Sequence, residues 1–149
     1  MSGGITGSDM SDEQLRLMIL KHEGLRLFPY KDTVGKLTIG VGRNLDDRGI
    51  SRDEAMTMLA NDIETARLGL IHTYPWFNSL DEVRQSVLVD MTFNMGIGGV
   101  SKFILTMEYI KKGEYEKASQ EMLRSTWSKQ VGSRSIELSE MVRTGKWQA

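Results

Sequence analysis

Three stretches of this chain carry the same helix-opening signal, a serine followed three residues later by a glutamate or glutamine: Ser11–Gln14, Ser51–Glu54 and Ser79–Glu82. Each stands before apolar residues at helical spacing, and such a reciprocal cap fixes where a helix begins. The first opens a face of Leu15, Met18, Ile19 and His22 and should end near Glu23, because Gly24 is a natural residue for the left-handed position after a helix. The second opens a stripe of Ala55, Met58, Leu59, Ile63, Ala66 and Leu70 that Pro75 interrupts. The third precedes Val83, Val87, Leu88 and Met91, with Gly96, Gly98 and Gly99 as its end. Shorter helices are expected at 101–111, 114–124 and 134–142.

Between the first two helices the period changes. Leu37, Ile39 and Val41 alternate with Lys36, Thr38 and Gly40, which predicts a half-buried strand with Thr38 on the face opposite the apolar residues. Thr33-Val34-Gly35 is the turn leading into it. The fold class is therefore α+β, mostly α. A single domain over 11–149 has a small β-lobe at about 25–50, a helix at about 51–71 and a helical lobe at about 72–149.

Composition narrows the function. A chain of 149 residues builds one core and is too short for two ordinary domains. It has no cysteine, which excludes disulfide scaffolds and thiolate zinc sites, and only two histidines, His22 and His72. No cofactor or metal is implied. The first ten residues, MSGGITGSDM, read as a disordered tail without the features of a signal peptide. No apolar run is long enough for stable membrane insertion. Net charge is −1, divided into −4 over residues 1–96 and +3 over 97–149, which argues against a nucleic-acid partner.

Two acids and a hydroxyl flank the predicted turn: Glu23, Asp32 and Thr38. Glycosidic hydrolysis needs an acid to protonate the leaving oxygen and a carboxylate to activate water or attack carbon. A glutamate at the end of an apolar helix suits the protonated role, given a desolvated site. An aspartate on a polar turn suits the ionised one. By spacing alone, two solvated surface carboxylates are the better reading.

The whole segment EGLRLFPYKDTVGKLTIGVG, residues 23–42, resembles the catalytic signature of the T-even type phage lysozymes, glycoside hydrolase family 24. It meets every fixed position of the pattern E-G-x-R-x-x-x-Y-x-D-x-x-G-x-x-T-I-G-x-G. The resemblance continues in order through SRDEAMTMLANDI, SLDEVRQSVLVDMTFNMGIGGVSKF, RSTWSKQVGSR and VRTGKWQA. It implies a lysozyme-like fold in which the helix at 51–71 joins the lobes and the first helix packs with the helical lobe.

The resemblance also implies roles. Glu23 is similar to the general acid, Asp32 to the carboxylate that orients or deprotonates water, and Thr38 to the third member of the site. The implied reaction is inverting cleavage of the β-1,4 bond between N-acetylmuramic acid and N-acetylglucosamine in peptidoglycan. Inversion needs about 6.5–9.5 Å between the carboxylates, to admit water. Substrate contacts are implied at Asn44, Phe93, Asn94, Thr106, Gln130 and Arg134, the arginine lying near the catalytic glutamate. Family biology implies a monomer in the host bacterial cytoplasm that depends on a holin to reach periplasmic peptidoglycan. An inactive peptidoglycan-binding module and a lytic transglycosylase are the alternatives, and retention of Glu23, Asp32 and Thr38 together favours hydrolysis.

The chain departs from the family in three ways. Only eight residues separate Gly42 from Ser51, about twenty fewer than in the T-even enzymes, so the β-lobe is smaller. Arg43 replaces a histidine and is expected to pair with Asp62 in place of that histidine's acidic partner. The sequence pI is about 6.1, whereas members are commonly basic. His22 is expected to be packed or half-buried, and Trp76, Trp127 and Trp147 to be core or lobe anchors rather than sugar-stacking platforms.

Overall fold

The computed structural model describes residues 7–148. Helix α1 (Gly7–Glu23) begins upstream of the expected cap at Ser11. No proline interrupts the approach to Ser11. Of the expected tail, Gly7–Met10 is thus helical and residues 1–6 lie outside the described residues. Gly24, at φ 77°, ends the helix as expected, its N–H donating to the Leu20 carbonyl at 2.8 Å. The His22 side chain is exposed, not packed, because the whole of α1 from Ser11 is solvent-facing.

Strands β1 (Arg26–Lys31), β2 (Leu37–Gly40) and β3 (Arg43–Asn44) form one antiparallel sheet in that order. Tyr30 stands opposite Thr38, and Thr38 opposite Asn44. Register slips between Arg26 and Tyr30, a stretch that contains Pro29, which has no N–H to give to a ladder. Thr38, in the middle strand, is the buried residue at 3 % exposure, while Leu37 and Val41 are exposed and Ile39 is half-buried. This reverses the expected face. The reason is topological: Thr38 has a strand neighbour on either side, and its hydroxyl is satisfied by donating to the Lys36 carbonyl at 2.9 Å.

Helix α2 (Arg52–Thr73) starts at the predicted cap: the Glu54 N–H donates to Ser51 Oγ at 3.1 Å, and the Ser51 N–H donates to Glu54 Oε1 at 2.8 Å. Pro75 opens a 3₁₀ turn, Pro75–Ser79. Ser79 falls inside that turn, so the cap of α3 (Glu82–Ser101) is Asp81, which accepts the Arg84 N–H at 3.1 Å. Gly96, at φ 76° and ψ 163°, breaks the helical backbone of α3 where the glycines predict an end. Helices α4 (Ile104–Lys112), α5 (Tyr115–Arg124) and α7 (Ser133–Thr144) lie near their expected positions. An unexpected short helix, α6 (Thr126–Val131), is capped by Ser125 Oγ, which accepts the Ser128 N–H at 3.1 Å.

The chain divides into two compact units after Met56, inside α2. The first holds α1 and the sheet. The second has a core centred on α3, where Val87, Leu88, Met91 and Val100 are fully buried with Leu70, Met122 and Val142. Arg84 ties this unit's last helix down. Its Nε donates to the Val142 carbonyl at 2.7 Å, Nη2 to the Arg143 carbonyl at 3.3 Å and Nη1 to Asp81 at 3.1 Å. Its guanidinium also lies 3.4 Å above the Tyr115 ring. Arg84→Met strips those carbonyls of their donor. It should lower unfolding free energy by about 3 kcal/mol in urea titrations, and a loss below about 0.5 kcal/mol would show the clamp to be idle.

Candidate active site

Glu23 is the last residue of α1, and its carboxylate is exposed. The acid's role calls for a desolvated site. The structure instead sets it at an open helix end beside the glycine that follows β2. A Cβ on Gly42 would lie 2.8 Å from Glu23 Oε2, so only a residue without a side chain lets the carboxylate rest there. Gly42 also has φ 69°, a left-handed conformation that favours glycine.

Asp32 sits in the turn between β1 and β2. Its Oδ1 accepts two backbone N–H groups, from Val34 at 3.0 Å and from Lys36 at 2.8 Å. The Asp32 N–H donates in return to the Lys36 carbonyl at 2.9 Å. That carbonyl also accepts the Thr38 hydroxyl at 2.9 Å. Asp32 and Thr38 are therefore joined through the main chain of a single residue, Lys36. Two amides hold one oxygen of the carboxylate, and no hydrogen bond is recorded on Oδ2 among the described residues.

Asn44, opposite Thr38 in the sheet, spends its side chain locally. Its Oδ1 accepts the Asp47 N–H at 2.9 Å, and its Nδ2 donates to Asp47 Oδ2 at 3.0 Å. Arg43 pairs with Glu54 rather than with Asp62. Nη1 donates to Oε1 at 2.8 Å, Nη2 donates to Oε2 at 2.6 Å, and Nη1 also donates to the Gly49 carbonyl at 3.2 Å. Glu54 wins because the helix cap already fixes it in place for a bidentate contact.

The same contacts make a pH prediction. The Arg43 hydrogen bond, aided by the Ser51 N–H, holds the Glu54 carboxyl at about 2, against an ordinary 4.5. A depressed carboxyl stabilises the fold above its unfolded value, and that contribution is lost as pH falls from 4.5 through about 2. Glu54→Gln should therefore melt at a lower temperature at pH 7 and lose less than the parent does across that window. Parallel melting curves for the two proteins would refute the pair.

In the helical unit, Asn94 and Trp127 meet, the indole Nε1–H donating to Asn94 Oδ1 at 2.8 Å. Trp127 is buried and packs edge-on against Phe103 at 5.9 Å, an anchor as expected. Thr106 is only 2 % exposed, in a groove of about 510 Å³ that it shares with Phe103, Glu121 and Trp127. Phe93 and Arg134 line another groove, of about 440 Å³, with Asp90, Glu137 and Trp147. Trp147 is exposed, unlike an anchor. Gln130 is exposed on α6 and lines neither groove.

The resemblance implies a place for Arg134 near Glu23. Within its own unit, the guanidinium is engaged by Asp90, with Nε at 2.9 Å and Nη2 at 2.8 Å from Oδ1. Asp90 was not singled out by the sequence reading. Its signal is a lone acid inside the apolar run Val87-Leu88-Val89-Asp90-Met91, which needs a cationic partner or a water-facing groove. Among the described residues no cluster of side chains is suited to a metal ion, and no helix is long and apolar enough to cross a membrane.

The profile of the family described as Phage lysozyme matches residues 20–143. Probable T4-type lysozyme 1 of Dictyostelium discoideum is 27 % identical, over 86 % of this chain and 92 % of its own length. Probable T4-type lysozyme 2 of the same organism is 28 % identical, over 88 % and 94 %. The SAR-endolysin of Escherichia phage Mu is 26 % identical, over 91 % and 81 %.

Proposed function

The chain belongs to the phage lysozyme family, and from that premise we propose that it is a peptidoglycan hydrolase acting as an N-acetylmuramidase. The bond cleaved is the β-1,4 link between N-acetylmuramic acid and N-acetylglucosamine, with inversion at the anomeric carbon. Glu23 gives its proton to the leaving glycosidic oxygen. Asp32 takes a proton from the attacking water through Oδ2 while its Oδ1 stays bound to the two turn amides. Thr38 spends its hydroxyl hydrogen on the Lys36 carbonyl, so its oxygen is left as an acceptor for that water.

The observation that carries this reading is the Asp32 turn inside the matched span. The Val34 and Lys36 N–H groups fix one carboxylate oxygen in place and leave the other free to meet a water molecule. Asn44, Phe93, Asn94, Thr106, Gln130 and Arg134 are the proposed substrate-binding residues. Of these, Phe93 is the exposed aromatic suited to a sugar ring, and Asn94 and Gln130 are exposed amides. The protein works as a monomer, held in the host bacterial cytoplasm until a holin gives it access to periplasmic peptidoglycan. It thereby serves phage-mediated lysis.

Purified Gram-negative peptidoglycan, followed by turbidity and by new reducing ends, tests the proposal. Clearing with reducing ends is expected. Binding without release of ends would identify an inactive wall-binding module instead.

A further inference from the structure

One feature of the turn is not needed for the family's reaction and comes from this chain's own residues. Lys36 joins Asp32 to Thr38 through its main chain, and its side chain reaches the following loop, Nζ donating to Asp47 Oδ1 at 3.1 Å. Asp47 is in turn fixed by Asn44 through both its N–H and its Oδ2. The neighbouring Asp46 accepts the Leu37 N–H at 2.7 Å through Oδ2, and the Leu45 N–H donates to the Leu37 carbonyl at 2.7 Å. The segment from Asn44 to Asp47 is thus laced to Lys36 and Leu37 at three points. This is where the chain has its short replacement for the longer T-even β-lobe.

The charges around the Lys36 ammonium are Asp47, Asp46 and Asp32, with Lys31 on β1 in register with Leu37. The hydrogen bond and charge of Asp47 dominate in holding the ammonium protonated, and Asp46 and Asp32 add smaller attractions. An ammonium with no partner at Asp47 has Asp32 as one of its remaining anions. Bound there, it would occupy the carboxylate oxygen that takes the water proton, and would lower the basicity of that carboxylate.

We infer that Lys36 is a positioning residue for Asp32, and that Asp47 keeps the Lys36 ammonium off the carboxylate oxygen that acts on water. This rests on the reading of Asp32 as the water-activating carboxylate. Asp47 is then part of the catalytic arrangement without itself touching substrate.

The test is the rate of reducing-end release at saturating peptidoglycan, taken across pH, for the parent, Asp47→Asn, and Asp47→Asn combined with Lys36→Met. Asp47→Asn should slow release about tenfold and move the acid limb of the profile to lower pH, since a nearby cation makes Asp32 harder to protonate. Removing the ammonium as well should restore the rate to within about threefold and return the limb to its parent position. A loose loop predicts the opposite, a double variant at least as slow as the single one, and that result overturns the inference. So does an Asp47→Asn variant with the parent's rate and profile. Asp32→Asn, run beside them, separates the two levels. If it is inactive while Asp47→Asn is unaffected, only the positioning role fails; if it keeps the parent's rate, the reading of Asp32 fails and takes the inference with it.

Discussion

Glu23→Gln should cut the release of reducing ends by more than about a hundredfold while leaving circular dichroism and melting temperature unchanged. Glutamine is nearly isosteric but has no proton to give to a departing sugar oxygen. The expected loss is chemical rather than structural because of where Glu23 sits. It is an exposed residue ending a helix that Gly24 terminates through its own N–H, so no packing and no cap depends on the carboxylate. Activity within about tenfold of the parent would remove Glu23 from the role of acid.

The second large effect is expected at Gly42. A methyl group there meets Glu23 Oε2 at 2.8 Å, and the backbone, at φ 69°, is one that an L side chain adopts only under strain. The strain costs about 1–2 kcal/mol, and the carboxylate must swing away from its place. Gly42→Ala should therefore lose activity roughly tenfold or more, since small misplacements of a reacting group are costly. Gly113→Ala is the control. Gly113 has φ 78° but open space around the added methyl, so it carries strain without touching Glu23 or the Asp32 turn. Equal activities in the two variants would mean that backbone strain, not displacement of Glu23, explains the result.

The features legible in the sequence were those fixed by neighbours along the chain. The Ser51–Glu54 box and the Gly24 stop are short-range bonds between residues a few positions apart, and both stand where the pattern puts them. The same logic failed where two short-range candidates competed. Asp81 displaced Ser79 as the cap of α3 because Pro75 starts a 3₁₀ turn that absorbs the serine. Helix α6 was missed because it is a single short segment between the Ser125 cap and Gly132, with no stripe long enough to show a period.

Features that depend on partners distant in sequence were not legible. The burial of Thr38 follows from its central strand position, which alternation cannot reveal. Arg43 took Glu54 because a residue already held by a helix cap is a better-ordered partner than one named by analogy. For the candidate site, residue identity came from the sequence and bonding from the structure. The motif picked out Glu23, Asp32 and Thr38. It said nothing of Lys36 as the main-chain link between Asp32 and Thr38, of Gly42 as the space for Glu23, or of Asp90 as the partner of Arg134.

The most direct measurement is mass spectrometry of the fragments released from peptidoglycan in water enriched in heavy oxygen. An inverting muramidase puts one solvent oxygen on C1 of each new N-acetylmuramic acid end and leaves no anhydro product. The account predicts that outcome, with Asp32→Asn releasing almost no labelled ends. Anhydro-muramyl ends without solvent oxygen would mean that the sugar itself displaces the leaving group. In that case Asp32 activates no water, and the account is wrong at its centre.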